Sequence, residues 1–395
     1  MLEIHCHPPM NDSEVRKQVK YIGFYDTFSP VAKRVGSIAA TNKMDYVCET
    51  LVSAGYDVHV ISPAWANHAC TGWLKSESTS LGAHKKLTLC ASMRTNGKVL
   101  RNAVILITLL WLTFTLLLHV RRGETVLVYH SPWLSWPVRI AKWFKGCRVI
   151  LEVEEIYAQV WQLNDTLKAW EASLIASANS YLAVSSVLAS RLPDKPKVVV
   201  YGNYTVVARQ AQTPSSPDVR LVYAGSVDYT KGGAFNAVAC MDFLPNNYIL
   251  NACGHGEGPA IADFEQHIAA CNKRLGRRAC VFHGVVSPQR LTELLQASDI
   301  AINPQSDGEN MTTLFPSKLL NYLCHNLRVV TTRIESISNS PFSTLVVFSR
   351  SSQPDDFANA VRLVNLSEPF DSITVLTDLN LIFIKELKLV IEGSK

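Results

Sequence analysis

Charge is scarce in this chain. Lys, Arg, Asp and Glu make up 18% of its 395 residues, against 48% hydrophobic residues. That balance excludes a disordered polymer, which needs much charge and has little to bury. The net charge is +5 and the pI about 8.6. A surplus this small, with no basic stripe interleaved with aromatics, argues against nucleic acid. It suits phosphate-bearing ligands or an anionic membrane surface. Ten cysteines contain no C-x-x-C, and no histidine cluster has metal-ligand spacing. Cys147 and Cys280 sit beside strand-like apolar runs, where a reduced cysteine packs as a small core residue, and a reducing cytosol is the natural compartment. No internal repeat of fixed period occurs. Residues Met1 to Lys20 are polar, carry both charges and read as a loose leader, not a signal peptide.

What is present is an alternation of short apolar strands and helices long enough for two domains. Tyr21–Tyr25 reads as a strand, Gly36–Leu51 as a helix and Tyr56–Ile61 as the next strand, one βαβ unit. Residues 64–96 are polar and poorly periodic. Strands follow at Val126–Tyr129, Arg148–Val153, Ser180–Ser185 and Val198–Tyr201, with helices at Trp133–Phe144, Thr166–Ser177 and Ser186–Leu192. Gly, Pro, Ser and Thr then crowd residues 204–218, the best domain boundary. The spacing therefore predicts a first domain over 21–203, a linker over 204–218, a second domain over 219–365 and a C-terminal helix within 366–395.

Ala103–Val120 is almost wholly apolar, AVILITLLWLTFTLLLHV, with Arg101, Arg121 and Arg122 at its flanks. Its length stands at the threshold of a membrane span, which takes about 20 apolar residues. A span would cut one sheet in half, because strands precede and follow it. The reading is a crossover helix of the first domain that can lie shallowly in a bilayer face, anchored by nearby Arg and Trp.

Two turns carry phosphate-type chemistry. In Leu221-Val222-Tyr223-Ala224-Gly225-Ser226, a strand ends on a glycine turn. Lys231-Gly232-Gly233 follows, and a helix begins near Ala234. Strand, glycine turn and helix build a doubly wound nucleotide-binding domain, with ligands at the carboxyl ends of the strands. The second turn is Phe315-Pro316-Ser317-Lys318, read as a proline in the first turn of a short helix that breaks at His325-Asn326. Amides at such a helix start face outward with the positive end of its dipole and suit a diphosphate, and Lys318 adds a full charge. Each turn alone is an ordinary loop; two in one domain, each with a lysine, are less common.

These motifs, with Phe282-His283-Gly284-Val285-Val286 and Ala297-Ser298-Asp299-Ile300-Ala301-Ile302-Asn303-Pro304 between them, resemble the C-terminal half of family 4 glycosyltransferases, closest to bacterial polysaccharide-assembly members. The resemblance covers most of residues 20–395. It implies an α/β chain of GT-B fold, two Rossmann-like doubly wound domains facing across a cleft, with the C-terminal helix packed back across the domain junction. It implies a hexosyltransferase-type enzyme taking a nucleotide-sugar donor and a saccharide or polyprenyl-linked acceptor, retaining configuration. A cytoplasmic place at the inner face of the membrane follows from the same reading. No cofactor or metal is expected, since no convincing D-x-D occurs.

The donor-binding candidates are Gly225, Ser226, Lys231, Gly254, His255, Gly284, Val285, Thr313, Pro316, Ser317, Lys318 and Asn321. Cys253-Gly254-His255-Gly256 is not a G-x-G-x-x-G; it reads as a hinge loop or, by resemblance, as a cleft lining. The family's two donor-side glutamates, eight positions apart, fall in this chain on Thr313 and Asn321. By resemblance Asn321 takes the ribose and the 307–313 loop faces the sugar, while Ser226 replaces a common arginine. Catalytic candidates sit at strand ends of the first domain: His130, Glu152 and Glu155. A glutamate in a Val/Ile/Leu strand either pairs with a cation or orients an acceptor hydroxyl and takes its proton. The departures leave open two further readings, a non-hydrolysing nucleotide-sugar epimerase and a silent sugar-nucleotide-binding protein.

Overall fold

Runs of Val, Ile, Leu and Tyr with apolar neighbours on both faces set the strands, as parallel sheets covered by helices require. The computed structural model describes residues 16–25, 34–35, 38–67, 70, 72–95, 97–208, 217–306 and 315–393. The strands in chain order begin β1 (Lys17–Ile22), β2 (Tyr56–Ser62), β3 (Trp73–Leu74), β4 (Glu77–Gly82) and β5 (Lys85–Leu89). They continue with β6 (Ser92–Met93), β7 (Thr125–Tyr129), β8 (Arg148–Val153), β9 (Ser180–Ala183) and β10 (Lys197–Val199). One sheet runs β10-β9-β8-β7-β1-β2-β5-β4, and β3 pairs with β6 in a separate ribbon. β1 lies parallel to β2 and β7, and β4 closes the edge antiparallel to β5.

The structure corrects three expectations. The stretch 1–20 does not run as a leader to its end, because β1 begins at Lys17, four residues before the expected strand. Residues 64–96 hold four strands. β4, ESTSLG, lies along the sheet edge with nearly every side chain in water, so it shows no apolar alternation to read. The Lys98–His119 helix starts five residues ahead of the apolar run. That helix buries Leu109, Leu112 and Leu116 and leads into β7, a strand of the same sheet as β2 and β5, so it is a crossover of the fold.

The remaining strands are β11 (Val219–Ala224), β12 (Tyr248–Cys253), β13 (Cys280–Phe282), β14 (Ile300–Asn303), β15 (Arg328–Thr331) and β16 (Val346–Phe348). They form a sheet of order β13-β12-β11-β14-β15-β16, and every pairing in it is parallel. The order reverses at β11, where the chain goes out to β13 and returns to β14. The crevice at the carboxyl ends of strands beside such a switch is where doubly wound sheets bind ligands. Leu221, Tyr223, Phe264, Ile302 and Phe357 are among the side chains that make its core.

By compactness the chain divides into two units. One takes Met1–Leu151, Ala169–Ser180 and Leu387–Lys395; the other takes Glu152–Lys168 and Tyr181–Glu386. The Ile373–Glu392 helix ends in the first unit. There the Thr125 hydroxyl donates to Ile391 O at 3.1 Å and the Tyr56 hydroxyl to Glu392 at 3.3 Å.

Candidate active site

β11 is buried from Leu221 to Ala224 and then meets two residues without bulk, Gly225 and Ser226. The Gly225 N–H donates to Cys253 O at 3.0 Å, carrying the pairing with β12 one step beyond the strand. The buried Tyr223 hydroxyl closes the turn by donating to Ser226 O at 2.9 Å. Asp228 shapes the loop around it: its carboxylate accepts from the Ser226 hydroxyl at 2.6 Å and from the Lys231 N–H at 2.6 Å. This is a local carboxylate turn, with the acceptor three residues before the amide donor. Gly232 adopts φ 62° as the cap of the Gly233–Ala239 helix, where a Cβ would lie 2.7 Å from the Ser306 hydroxyl. Ser306 N–H in turn donates to Lys231 O at 3.0 Å.

Three glycines meet at neighbouring strand ends. The Gly254 N–H donates to Gly284 O at 2.9 Å, and a Cβ on Gly254 would come within 1.7 Å of Gly225 O. A contact that close admits no side chain. The Val227 N–H donates to His255 O at 2.7 Å, so the two glycine loops are stitched together. The His255 side chain is exposed, as is Val285 at the rim.

The second turn is welded to the first. Pro316 takes the cap position itself, not the first turn, and Ser317–Cys324 is the helix. Lys318 and Tyr322 lie one turn apart on one face of it. The Tyr322 hydroxyl accepts from Ala224 N–H at 2.8 Å and donates to Ala224 O at 3.2 Å, gripping the end of β11. Lys318 Nζ stands 4.4 Å from the Tyr223 ring centroid and donates to its hydroxyl at 3.3 Å. Burial holds the Lys318 ammonium down to about 7; Lys231 pushes the same way and Asp228 opposes. A Cβ on Gly225 would lie 3.2 Å from that Nζ, so glycine keeps the ammonium open to the turn.

Gly225, Ser226, Lys231, Gly254, His255, Gly284 and Lys318 thus gather at one end of the second sheet. Asn321 lies on the far part of the same helix, where its carbonyl accepts from His325 Nδ1 at 2.7 Å. Thr313 lies outside the described residues. Sequence reasoning missed Tyr223, Asp228 and Tyr322. The D-x-x-K spacing and the four-residue interval from Lys318 to Tyr322 were the signals available.

The carboxylates sort differently. Glu152 stands inside β8 and is fully buried. Glu155 does not end that strand; it lies two residues beyond it, half-buried in the second unit, and accepts from Trp161 Nε1 at 3.2 Å. Burial raises the Glu155 carboxyl above its ordinary value and Glu154 adds to the rise, while the Trp161 hydrogen bond and the charge of Lys231 oppose it. His130 follows β7 in the first unit, buried, with Nε2 3.3 Å from Glu171 Oε1. Among the described residues, no group of three His, Cys, Asp or Glu is arranged to hold a metal ion.

No family model and no curated protein sequence matches this chain. Solved structures do. A trehalose-6-phosphate structure from E. coli, bound with UDP-2-fluoro glucose, superposes at a TM-score of 0.62, with 11% identity over 93% of this chain and 96% of that one. Sucrose-phosphate synthase from Thermosynechococcus elongatus gives 0.63, with 14% identity over 94% of each chain. The lipopolysaccharide outer core galactosyltransferase WaaB, in apo form, gives 0.59, with 14% identity over 96% of this chain and all of that one. The fold is the mixed α/β, parallel-sheet fold of GT-B glycosyltransferases.

Proposed function

We propose that this protein is a glycosyltransferase of the family 4 type that moves a sugar from a nucleoside-diphosphate donor to a lipid-linked saccharide. The carrying observation is the placement of Lys318 Nζ, 4.4 Å from the Tyr223 ring centroid beside a glycine turn that leaves it open. Lys318 is half-buried, and an ammonium desolvated to that extent costs free energy unless an anion meets it. A diphosphate supplies that anion. In this reading Lys231, Lys318 and the first amides of the Ser317–Cys324 helix hold the diphosphate and stabilise the charge that develops as it departs. No metal is called for, since two ammonium groups and helix amides supply the positive charge.

On the acceptor side, Glu155 orients the attacking hydroxyl and takes its proton. Its raised carboxyl, within electrostatic reach of Lys231, supports the assignment. Asn321 serves the ribose and the loop containing Thr313 the donor sugar. Transfer is retaining and belongs to polysaccharide assembly, at the cytoplasmic face of a membrane. A thermal-shift screen of nucleotide sugars identifies the donor. That donor is then incubated with and without a polyprenyl-diphosphate saccharide. Transfer of label into the lipid phase is the expected result. Epimerisation of donor alone, or binding without turnover, would overturn it.

A further inference from the structure

The outward face of the Lys98–His119 helix is apolar. Ile107, Leu110, Trp111, Phe114 and Leu118 recur at intervals of one to four residues on the side opposite the buried Leu109, Leu112 and Leu116, and all five are exposed. A stripe this long is more than the scattered apolar exposure normal for soluble domains. It does not stand alone. The Gly123 N–H donates to Lys145 O at 2.9 Å, so the C-terminal end of this helix meets the C-terminal end of the Ser135–Lys145 helix. Trp143 and Phe144 protrude there, 79% and 56% exposed, and their rings pack edge to face.

The segment that carries the stripe is charged almost entirely with one sign. Residues 97–151 contain eight lysines and arginines and one acid, Glu124. That local surplus exceeds the +5 of the whole chain. Glu124 is itself engaged: its carboxylate lies 3.7 Å from the buried Lys20 ammonium and accepts the Arg121 N–H at 2.7 Å. Arg121, Arg122 and Arg139 point their charge into water.

We propose that this face docks on an anionic lipid bilayer, with the Ile107–Leu118 stripe and the Trp143–Phe144 pair in the headgroup boundary and the arginines on the lipid charge. An apolar stripe rimmed by arginine and tryptophan is the composition of an interfacial helix. A second copy is disfavoured as the occupant, because a two-fold pairing would set one basic rim against another. The helix lies flat and does not cross, because its flanking strands share a sheet. The docking face rests on the membrane placement proposed above; donor binding is read separately from flotation, so the failure of one is distinguishable from the failure of the other.

The test floats the full chain with vesicles of phosphatidylcholine alone and of phosphatidylcholine mixed with phosphatidylglycerol. Wild type floats with the mixed vesicles, weakly or not at all with the neutral ones, and salt releases it. Arg121→Gln/Arg122→Gln lowers partitioning roughly 30-fold, at about a factor of five for each surface charge. Ile107→Asp/Phe114→Asp and Trp143→Ala/Phe144→Ala both lose flotation while keeping wild-type circular dichroism and wild-type nucleotide binding. Absence of flotation by wild type, equal flotation on both vesicles, or light scattering showing a dimer that Ile107→Asp dissociates would each overturn the proposal.

Discussion

The Lys318 ammonium stands 3.3 Å from the Tyr223 hydroxyl and 4.4 Å from the centre of its ring. One residue belongs to a helix start and the other to a strand end 95 positions earlier, so the pairing exists only in the folded sheet. It holds a cation at the mouth of a glycine turn. Burial first, and Lys231 second, favour the neutral amine, which titrates at about 7. On the proposed function, a diphosphate bound there is expected to restore the proton.

Diphosphate affinity is therefore expected to fall as pH rises above about 7, by up to a factor of ten for each pH unit while a proton must be taken up. Calorimetry in buffers of different ionisation enthalpy reads that uptake directly, and Lys318→Met should abolish it. Without ligand, the unfolded chain keeps the proton up to the ordinary lysine value of about 10.4. Stability contributed by this group thus rises with pH from about 7 toward that value.

Truncating either Lys231→Ala or Lys318→Ala should weaken nucleoside-diphosphate binding by about 1.5–3 kcal/mol, the range for hydrogen bonds to charged groups. Nucleoside binding should hardly change. Equal diphosphate affinity in wild type and both variants would contradict the assignment.

Gly254→Ala places a Cβ 1.7 Å from Gly225 O, a backbone atom that cannot rotate away. One glycine loop must shift against the other. Urea unfolding should report a loss of about 1–3 kcal/mol, as for overpacked sites, and nucleotide binding should fall with it. Gly258→Ala, with open space around its Cβ, is the control for alanine at a positive φ.

Tyr322→Phe removes the hydroxyl that serves both the N–H and the carbonyl of Ala224. Two buried backbone groups lose a partner, at a cost of about 1–3 kcal/mol. Faster hydrogen exchange at Ala224 should locate the damage. Unchanged protection there would mean the bridge contributes nothing.

Glu155→Gln should lower turnover by a factor on the order of 10²–10⁴, as for a lost acid–base group, with donor affinity near wild type. The acidic limb of the wild-type pH–rate profile should lie above the ordinary glutamate range, because burial raises this carboxyl. Normal turnover in the variant would return Glu155 to a structural partner of Trp161.

Much of the second sheet was legible from local pattern. Leu221–Ala224 reads as a buried strand because nothing polar interrupts it, and Gly225 marks its end. The helix after Pro316 and its stop at His325 follow from proline and Asn326, which takes φ 53°. The β4–β5 edge was not legible. Glu77–Gly82 gains its strand from main-chain pairing with Lys85–Leu89 and has no buried face of its own to advertise.

By itself the chain determined the periodicities, the two lysine-bearing turns and the apolar helix, because short-range sterics and burial patterns act within a few residues. Tertiary structure alone decided which distant groups meet. It laid Gly254 against Gly225, hung Tyr322 on Ala224 and set Lys318 over Tyr223. It also turned one side of an evenly apolar helix into the core and left Ile107, Trp111 and Phe114 outward. Composition cannot separate those two faces, since each is as hydrophobic as the other. Only the sheet that covers one of them does.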